Sequence, residues 1–216
     1  PTAVDPLTLN DEQASAVAQI TATAGFKAYL LYGITGSGKT QVYLAAAQAM
    51  LARGARVLFL VPEINLTPQF AQALLARLGG VVGPHEVAVL HSRLSDGERL
   101  DAWLRTQQGL ARIVLGTRLA IFAPMPDIDL IVVDEEHDAS YKQQEGLRYS
   151  ARDLAVWRAR QEQAAVVLGS ATPSLETWHR SERGDYQRLV LSKRATAGAL
   201  PVVKLVDTRR LQMDKG

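Results

Sequence analysis

With 216 residues, 47% of them apolar, the chain is long enough to bury a core and too apolar to be disordered. Its net charge of +2 permits nucleic-acid binding without arguing for it, and the absence of cysteine excludes disulfides and Cys-ligated zinc within these residues, which fits a cytoplasmic protein. No apolar run approaches the roughly 18 residues of a membrane span, and residues 1–5 lack the basic start and apolar core of a secretory signal, so no membrane partner is expected.

The chain begins at Pro1 rather than Met, which reads as a piece of a longer protein. Asn10, with Gln13 three residues later and Ala14, Val17 and Ala18 behind it, reads as an N-cap and its capping-box partner. Gln13 is then either a plain cap or a functional glutamine, and the spacing leaves both open. Residues 28–32 form an apolar strand that runs into Gly33-Ile34-Thr35-Gly36-Ser37-Gly38-Lys39-Thr40, a fit to G-x-x-x-x-G-K-[ST]. A helical stripe over 41–52 (Tyr43, Leu44, Ala47, Leu51) follows and ends at Gly54, a suitable C′ residue.

Strand, glycine loop and helix are the context that phosphate binding needs. Glycines let successive N–H groups turn inward toward the α- and β-phosphates, and a helix N-terminus favours their negative charge. Lys39 is expected on the β/γ-phosphates and the Thr40 hydroxyl on Mg²⁺, with ATP or ADP as the ligand.

Further along, Val57-Leu58-Phe59-Leu60-Val61 is a continuous apolar strand of the kind buried in parallel sheets, broken at Pro62. Thr67-Pro68 supplies a cap and an N1 proline for a helix to about residue 78. A short strand over 87–90 precedes Ser95-Asp96-Gly97-Glu98, a capping box opening a helix through Trp103 and Leu104. Ile113-Val114-Leu115 is a strand halted at Gly116-Thr117-Arg118, and Leu130-Ile131-Val132-Val133 runs straight into Asp134-Glu135-Glu136-His137. Ser150 caps a helix to about residue 163. Residues 165–168 form a strand ending at Gly169-Ser170-Ala171-Thr172-Pro173, and another helix runs on from Ser174. Strand-like runs at 188–191 and 202–206 close the chain. Apolar strands alternating with amphipathic helices predict an α/β P-loop NTPase fold, with a mostly parallel sheet, helices on both faces and the ligand at the carboxyl ends of the strands.

A carboxylate at the end of a neighbouring strand can hold the Mg²⁺ that Thr40 also touches, which assigns Asp134 to the metal. A second one beside it can orient and deprotonate a water for attack on the γ-phosphate, which assigns Glu135 to the water. Acidic residues that merely mark where a strand surfaces are the other reading. An all-protein metal site of Glu135, Glu136, His137 and Asp138 is disfavoured, because Mg²⁺ is usually held by one or two carboxylates plus phosphate and water. His137 is expected to sense the γ-phosphate or to link this loop to the next strand end.

Asp-Glu-x-His after a phosphate loop, followed by Ser170-Ala171-Thr172, resembles superfamily 2 helicases. The resemblance narrows to the primosomal protein N′ (PriA) family through several strings. They are Gly33 to Leu44, Val61-Pro62-Glu63-Ile64, Leu66-Thr67-Pro68-Gln69, His91-Ser92, Gly116-Thr117-Arg118, Asp134-Glu135-Glu136-His137-Asp138, Tyr141-Lys142-Gln143-Gln144 and Gly169 to Glu176. It implies the first RecA-like lobe of an ATP-dependent 3′–5′ DNA helicase that acts at stalled forks and starts primosome assembly, with single-strand binding protein and other primosome proteins as partners. It implies an ATP-binding lobe over 1–191, a strand and tail over 192–216 leading toward a second lobe, and zinc only in parts of such proteins outside this chain. Taken alone, the lobe is expected to bind ATP or ADP, to hydrolyse slowly and not to unwind DNA.

By the same resemblance Gln13 reads the adenine edge, and Ser170 and Thr172 couple the phosphate state to lobe movement. Thr67, Gln69, Thr117 and Arg118 contact DNA, and an aromatic-rich loop over 141–149 offers Tyr141 and Tyr149 for stacking and Lys142 and Arg148 for phosphates. Another superfamily 2 translocase, a kinase and a nucleotide-dependent binding module or GTPase-like switch are the competing readings. The last lacks an Asn-Lys-x-Asp guanine reader here.

Overall fold

Strands inside a parallel sheet with helices over both faces must be apolar on both sides. The strands β1 (Lys27–Gly33), β2 (Val57–Leu60), β3 (Val87–Leu90), β4 (Ile113–Gly116) and β5 (Leu130–Val133) meet that demand, and β2, β4 and β5 are buried at every position. The computed structural model describes residues 8–194 apart from Thr67 and Gly79. The strand expected at 202–206, most of the tail and the Thr67 cap lie outside the described residues.

Two further strands, β8 (Ala165–Ser170) and β9 (Gln187–Leu191), complete a seven-stranded sheet in the order β3-β4-β2-β5-β8-β1-β9. Every neighbouring pair in it is parallel. A separate antiparallel ribbon pairs β6 (Lys142–Gln143) with β7 (Tyr149–Ser150), which the sequence did not announce.

Alternation along the strands divides the core in two. Tyr29, Leu31, Val57, Phe59, Leu130 and Val132 face α1 (Asp11–Thr21), α2 (Lys39–Leu51) and α3 (Pro68–Leu78). On the opposite side, Ala28, Leu58, Leu60, Ile131 and Val133 pack with residues of α4 (Asp96–Gln107) and α5 (Ala151–Glu162). The α/β expectation of helices on both faces is therefore met. On α5, Ala151, Ala155 and Ala159 make a buried stripe of the smallest side chains, which lets the helix lie close to β5 and β8 at no side-chain entropy cost. On α4 the buried positions are Ala102 and Thr106, while Trp103 and Leu104 turn partly outward.

Side-chain oxygens cap α1 (Asn10), α4 (Ser95) and α5 (Ser150), as their sequences predict, and Ser174 caps α6 (Leu175–Glu182). Helix α2 differs. Its N-cap is Gly38, in the left-handed region at φ 84° and with no side chain to bond the first turn, so its N–H groups are left for another acceptor. No helix among the described residues is long and apolar enough to cross a membrane.

Candidate active site

The loop from Gly33 to Thr40 leaves the carboxyl end of β1 and closes on the uncapped N-terminus of α2. Ser37 N donates to Ile34 O (3.0 Å), which curls the loop. A Cβ at Gly33 would collide with Ser37 Oγ, so glycine lets the loop fold back closely over the end of β1. Ile34, Thr35, Gly36 and Thr40 face outward, whereas Ser37 and Lys39 are buried. The Lys39 ammonium donates to Gly33 O (3.1 Å) and stands 3.9 Å from Glu135 Oε1.

Asp134 and Glu135 arrive at the end of β5, separated from β1 by β8 alone. Asp134 is 8% exposed, and its Oδ1 accepts from Glu135 N (3.1 Å). Burial, and then the neighbouring Glu135 charge, push its carboxyl up to about 6, opposed first by the Tyr43 hydroxyl and more weakly by the Glu135 N–H and Lys39. Among the described residues no ammonium or guanidinium forms an ion pair with this carboxylate, the Lys39 ammonium lying toward Glu135 instead. Beside an exposed Thr40 hydroxyl and an unsatisfied helix N-terminus, the donor set fits Mg²⁺ with a polyphosphate. Among the described residues no group of three His, Asp and Glu could hold a metal by itself, so the all-protein metal site is not formed.

Glu135 has φ 45°, uncommon for a residue with a Cβ, and is about one-third exposed. Its Oε2 lies 3.6 Å from His137 Nδ1, which is also 2.7 Å from Ser170 Oγ. His137 Nε2 is 3.4 Å from Thr172 Oγ1, and Thr172 N donates to Ser170 Oγ (2.9 Å). The structure thus brings Lys39, Asp134, Glu135, His137, Ser170 and Thr172 into one continuous set.

Gln13 takes up the capping reading and adds a contact to the phosphate loop. Its Oε1 accepts from Asn10 N (2.9 Å), closing the capping box, while Nε2 donates to Ser37 O (2.9 Å) and Gln41 Oε1 (3.2 Å). With both amide hydrogens placed, Gln13 braces the phosphate loop against α1. Reading an adenine edge requires it to exchange a partner.

Two expected DNA contacts need correction. Tyr141 is 1% exposed and donates its hydroxyl to Asp134 O (2.7 Å), so its ring is core and cannot stack on a base. Thr117 is 5% exposed and packs into the turn after β4 instead of opening to a phosphate. Tyr149 is half-buried with its ring edge-on to Phe122 (centroids 5.0 Å apart), and the Arg118 guanidinium donates to Ser140 O (3.3 Å) and Lys142 O (3.4 Å). Gln69, Lys142 and Arg148 stand exposed.

Two residues at the site carried no signal of their own. Tyr43, read as one of a helical stripe, puts a fully buried hydroxyl beneath Gly169, where a Cβ would collide with it, and toward the Asp134 carboxylate. Glu136, read as one of an acidic run, points into the protein.

A strand that delivers a glycine loop onto an uncapped helix, with a buried acidic strand end across from it, defines a P-loop nucleotide-binding lobe. The chain belongs to the DEAD/DEAH box helicase family, whose model matches residues 10–180. It is 45% identical over 208 residues to replication restart protein PriA of Bacillus subtilis, covering 95% of this chain and 25% of that protein. It is 49% identical over 189 residues to PriA of Haemophilus influenzae, covering 88% of this chain and 25% of that one. The chain therefore spans about a quarter of the length of these relatives. Among solved structures, RecG bound to a three-way DNA junction matches with a TM-score of 0.63 at 21% identity over 91% of this chain and 25% of that one. The Hef helicase domain of Pyrococcus furiosus matches at 0.60 and 23% identity, over 86% of this chain and 38% of that one. At those identities the likeness speaks to the fold.

Proposed function

We propose that the chain is the ATP-binding and hydrolysing first lobe of a DNA helicase of the replication-restart kind. The observation that carries this reading is the convergence of Lys39, Asp134 and Glu135 on one strand-end cleft, with His137 linking it to Ser170. Thr40 and Asp134 would hold Mg²⁺, which neutralises phosphate charge when bound. The phosphate-loop N–H groups and Lys39 hold the β- and γ-phosphates, so Lys39 leaves Gly33 O for the ligand. Glu135 takes a proton from water as its oxygen bonds the γ-phosphorus. The β–γ bridging bond then breaks, and its electron pair leaves on ADP.

Similarity to PriA supports DNA as the substrate moved, primosome proteins and single-strand binding protein as partners, and a cytoplasmic setting. The exposed Gln69, Lys142 and Arg148 at the carboxyl rim support contact with DNA phosphates. Gln13 reads adenine once it exchanges Gln41 for the base. The test is calorimetric titration with Mg·ADP and Mg·ATP, followed by phosphate release with and without single-stranded DNA. Micromolar binding abolished by Lys39→Ala supports the reading. Tight binding of GTP in preference to ATP, or binding that survives Lys39→Ala, overturns it.

A further inference from the structure

Glu136 follows the proposed base in sequence and turns the opposite way. Its side chain has no solvent exposure, yet it accepts four hydrogen bonds. Oε1 takes Ser174 N (2.7 Å), while Oε2 takes Ser174 Oγ (3.1 Å), Thr177 Oγ1 (2.9 Å) and Arg152 Nη1 (3.3 Å). The Arg152 guanidinium, also nearly buried, donates to Ser174 Oγ (2.6 Å) and through Nε to Asp153 Oδ1 (2.9 Å). One carboxylate therefore fastens the end of β5 to the first turn of α5 and the N-cap of α6.

Stability alone does not account for it. Replacing a buried ion pair by well-packed apolar groups is often neutral or stabilising, whereas leaving one partner alone is costly. A group this expensive to bury stands next to the one residue of the cleft in a strained backbone, Glu135 at φ 45°. Such a conformation persists only where its surroundings over-determine it. On the C-terminal side those surroundings are Glu136, with its N–H on Gly169 O (3.0 Å) and its carboxylate in the α5–α6 cluster. On the N-terminal side Asp134 N is held by Leu60 O (3.0 Å).

We infer that Glu136 is a positioning residue for hydrolysis: locked to Arg152, Ser174 and Thr177, it holds Glu135 in the backbone conformation that aims its carboxylate at Lys39 and His137. The inference rests on the reading of Glu135 as the base.

Glu136→Gln keeps the shape and puts a donor where the cluster offers only donors. Its kcat for ATP, measured by phosphate release, is expected to fall about 10- to 100-fold, the usual cost of removing a supporting partner, with KM and the Mg·ADP affinity within about threefold. Thr177→Val, which removes one of the four donors, is the milder variant if Glu136→Gln does not fold. It should lose about threefold in kcat with KM unchanged. Thr106→Val on α4, which breaks a buried bond to Ala102 O (2.7 Å) far from the cleft, controls for stability and should lower Tm without lowering kcat.

Variants of the cluster that lower Tm yet keep the parent kcat overturn the inference. So does a kcat loss matched by an equal loss of nucleotide affinity. An unsubstituted chain that binds no Mg·ATP or releases no phosphate refutes instead the hydrolytic reading beneath it.

Discussion

The carboxyl rim of the sheet has two halves that are built differently. At the ends of β1, β5 and β8 three of the chemical groups already have placed partners: Lys39 on Gly33 O, His137 on Ser170, Glu136 on Ser174. Along the β6–β7 ribbon, Lys142, Gln144, Leu147 and Arg148 project outward. The first half suits preorganisation, since Glu135, His137 and Ser170 are held in place by neighbours, and Lys39 has only to exchange Gly33 O for a ligand. The second suits a long polyanion met by electrostatic contact, where exact placement matters little. Substitutions in the first half should therefore act on turnover, and substitutions in the second on DNA affinity and its salt dependence.

The largest effect is expected at Glu135. Glu135→Gln keeps the side chain's size and removes the proposed base, and should cut ATP turnover by about 10²- to 10⁴-fold with nucleotide affinity little changed. Phosphate-release and Mg·ADP titration measure the two separately. Turnover within a few-fold of the parent would mean that the ordered half is a binding site only.

Gly33→Ala tests how tightly that half is built. A methyl group there meets Ser37 Oγ and the Leu191 side chain at the end of β9, so the loop must shift. Overpacking of this kind costs about 1–3 kcal/mol, and nucleotide affinity should fall with stability. Denaturant unfolding and calorimetry give both values. A stable variant with full affinity would show that the loop has slack.

At the ribbon, the double substitution Lys142→Ala with Arg148→Ala should lower affinity for single-stranded DNA and reduce the slope of log K against log[salt] by about 1.4, at roughly 0.7 for each phosphate that is no longer neutralised. ATP binding should not change. Fluorescence anisotropy at several salt concentrations reads it, and an unaltered slope would remove the ribbon from the DNA path.

The same division decides what the sequence could disclose. Buried parallel strands are apolar on both faces, so 57–60 and 130–133 declared themselves, and the glycine loop and the acidic end of β5 followed from where those strands stop. Local caps at Asn10, Ser95 and Ser150 were equally open to inspection, because both partners lie within three residues. Glu136 was not. Its donors lie 16 to 41 residues further on, and an acidic residue in an acidic run reads as solvated until the fold brings Arg152 and Thr177 to it. Thr117 was mistaken for a similar reason: a polar residue just past a strand reads as rim, and here the turn folds it inward.

Tyr141 is where the two halves meet, and it carries the smallest and most discriminating prediction. An aromatic at the start of a polar loop reads as a stacking platform, yet the ring is core and its hydroxyl holds the main chain of the proposed Mg²⁺ ligand through Asp134 O. Tyr141→Phe deletes that one hydrogen bond and leaves a buried carbonyl with one partner fewer, at a cost of about 1–2 kcal/mol. For a chain of this length that lowers Tm by about 2–8 °C. A base-stacking tyrosine would behave differently, since phenylalanine preserves the ring face and alanine removes about 1–3 kcal/mol of DNA binding per stacked base. The expected pattern for Tyr141→Phe is therefore a lowered Tm and a modest fall in ATP turnover, with DNA affinity and salt slope equal to the parent. A variant of parental Tm that binds DNA more weakly would return Tyr141 to the ribbon and move the boundary between the two halves one strand end inward.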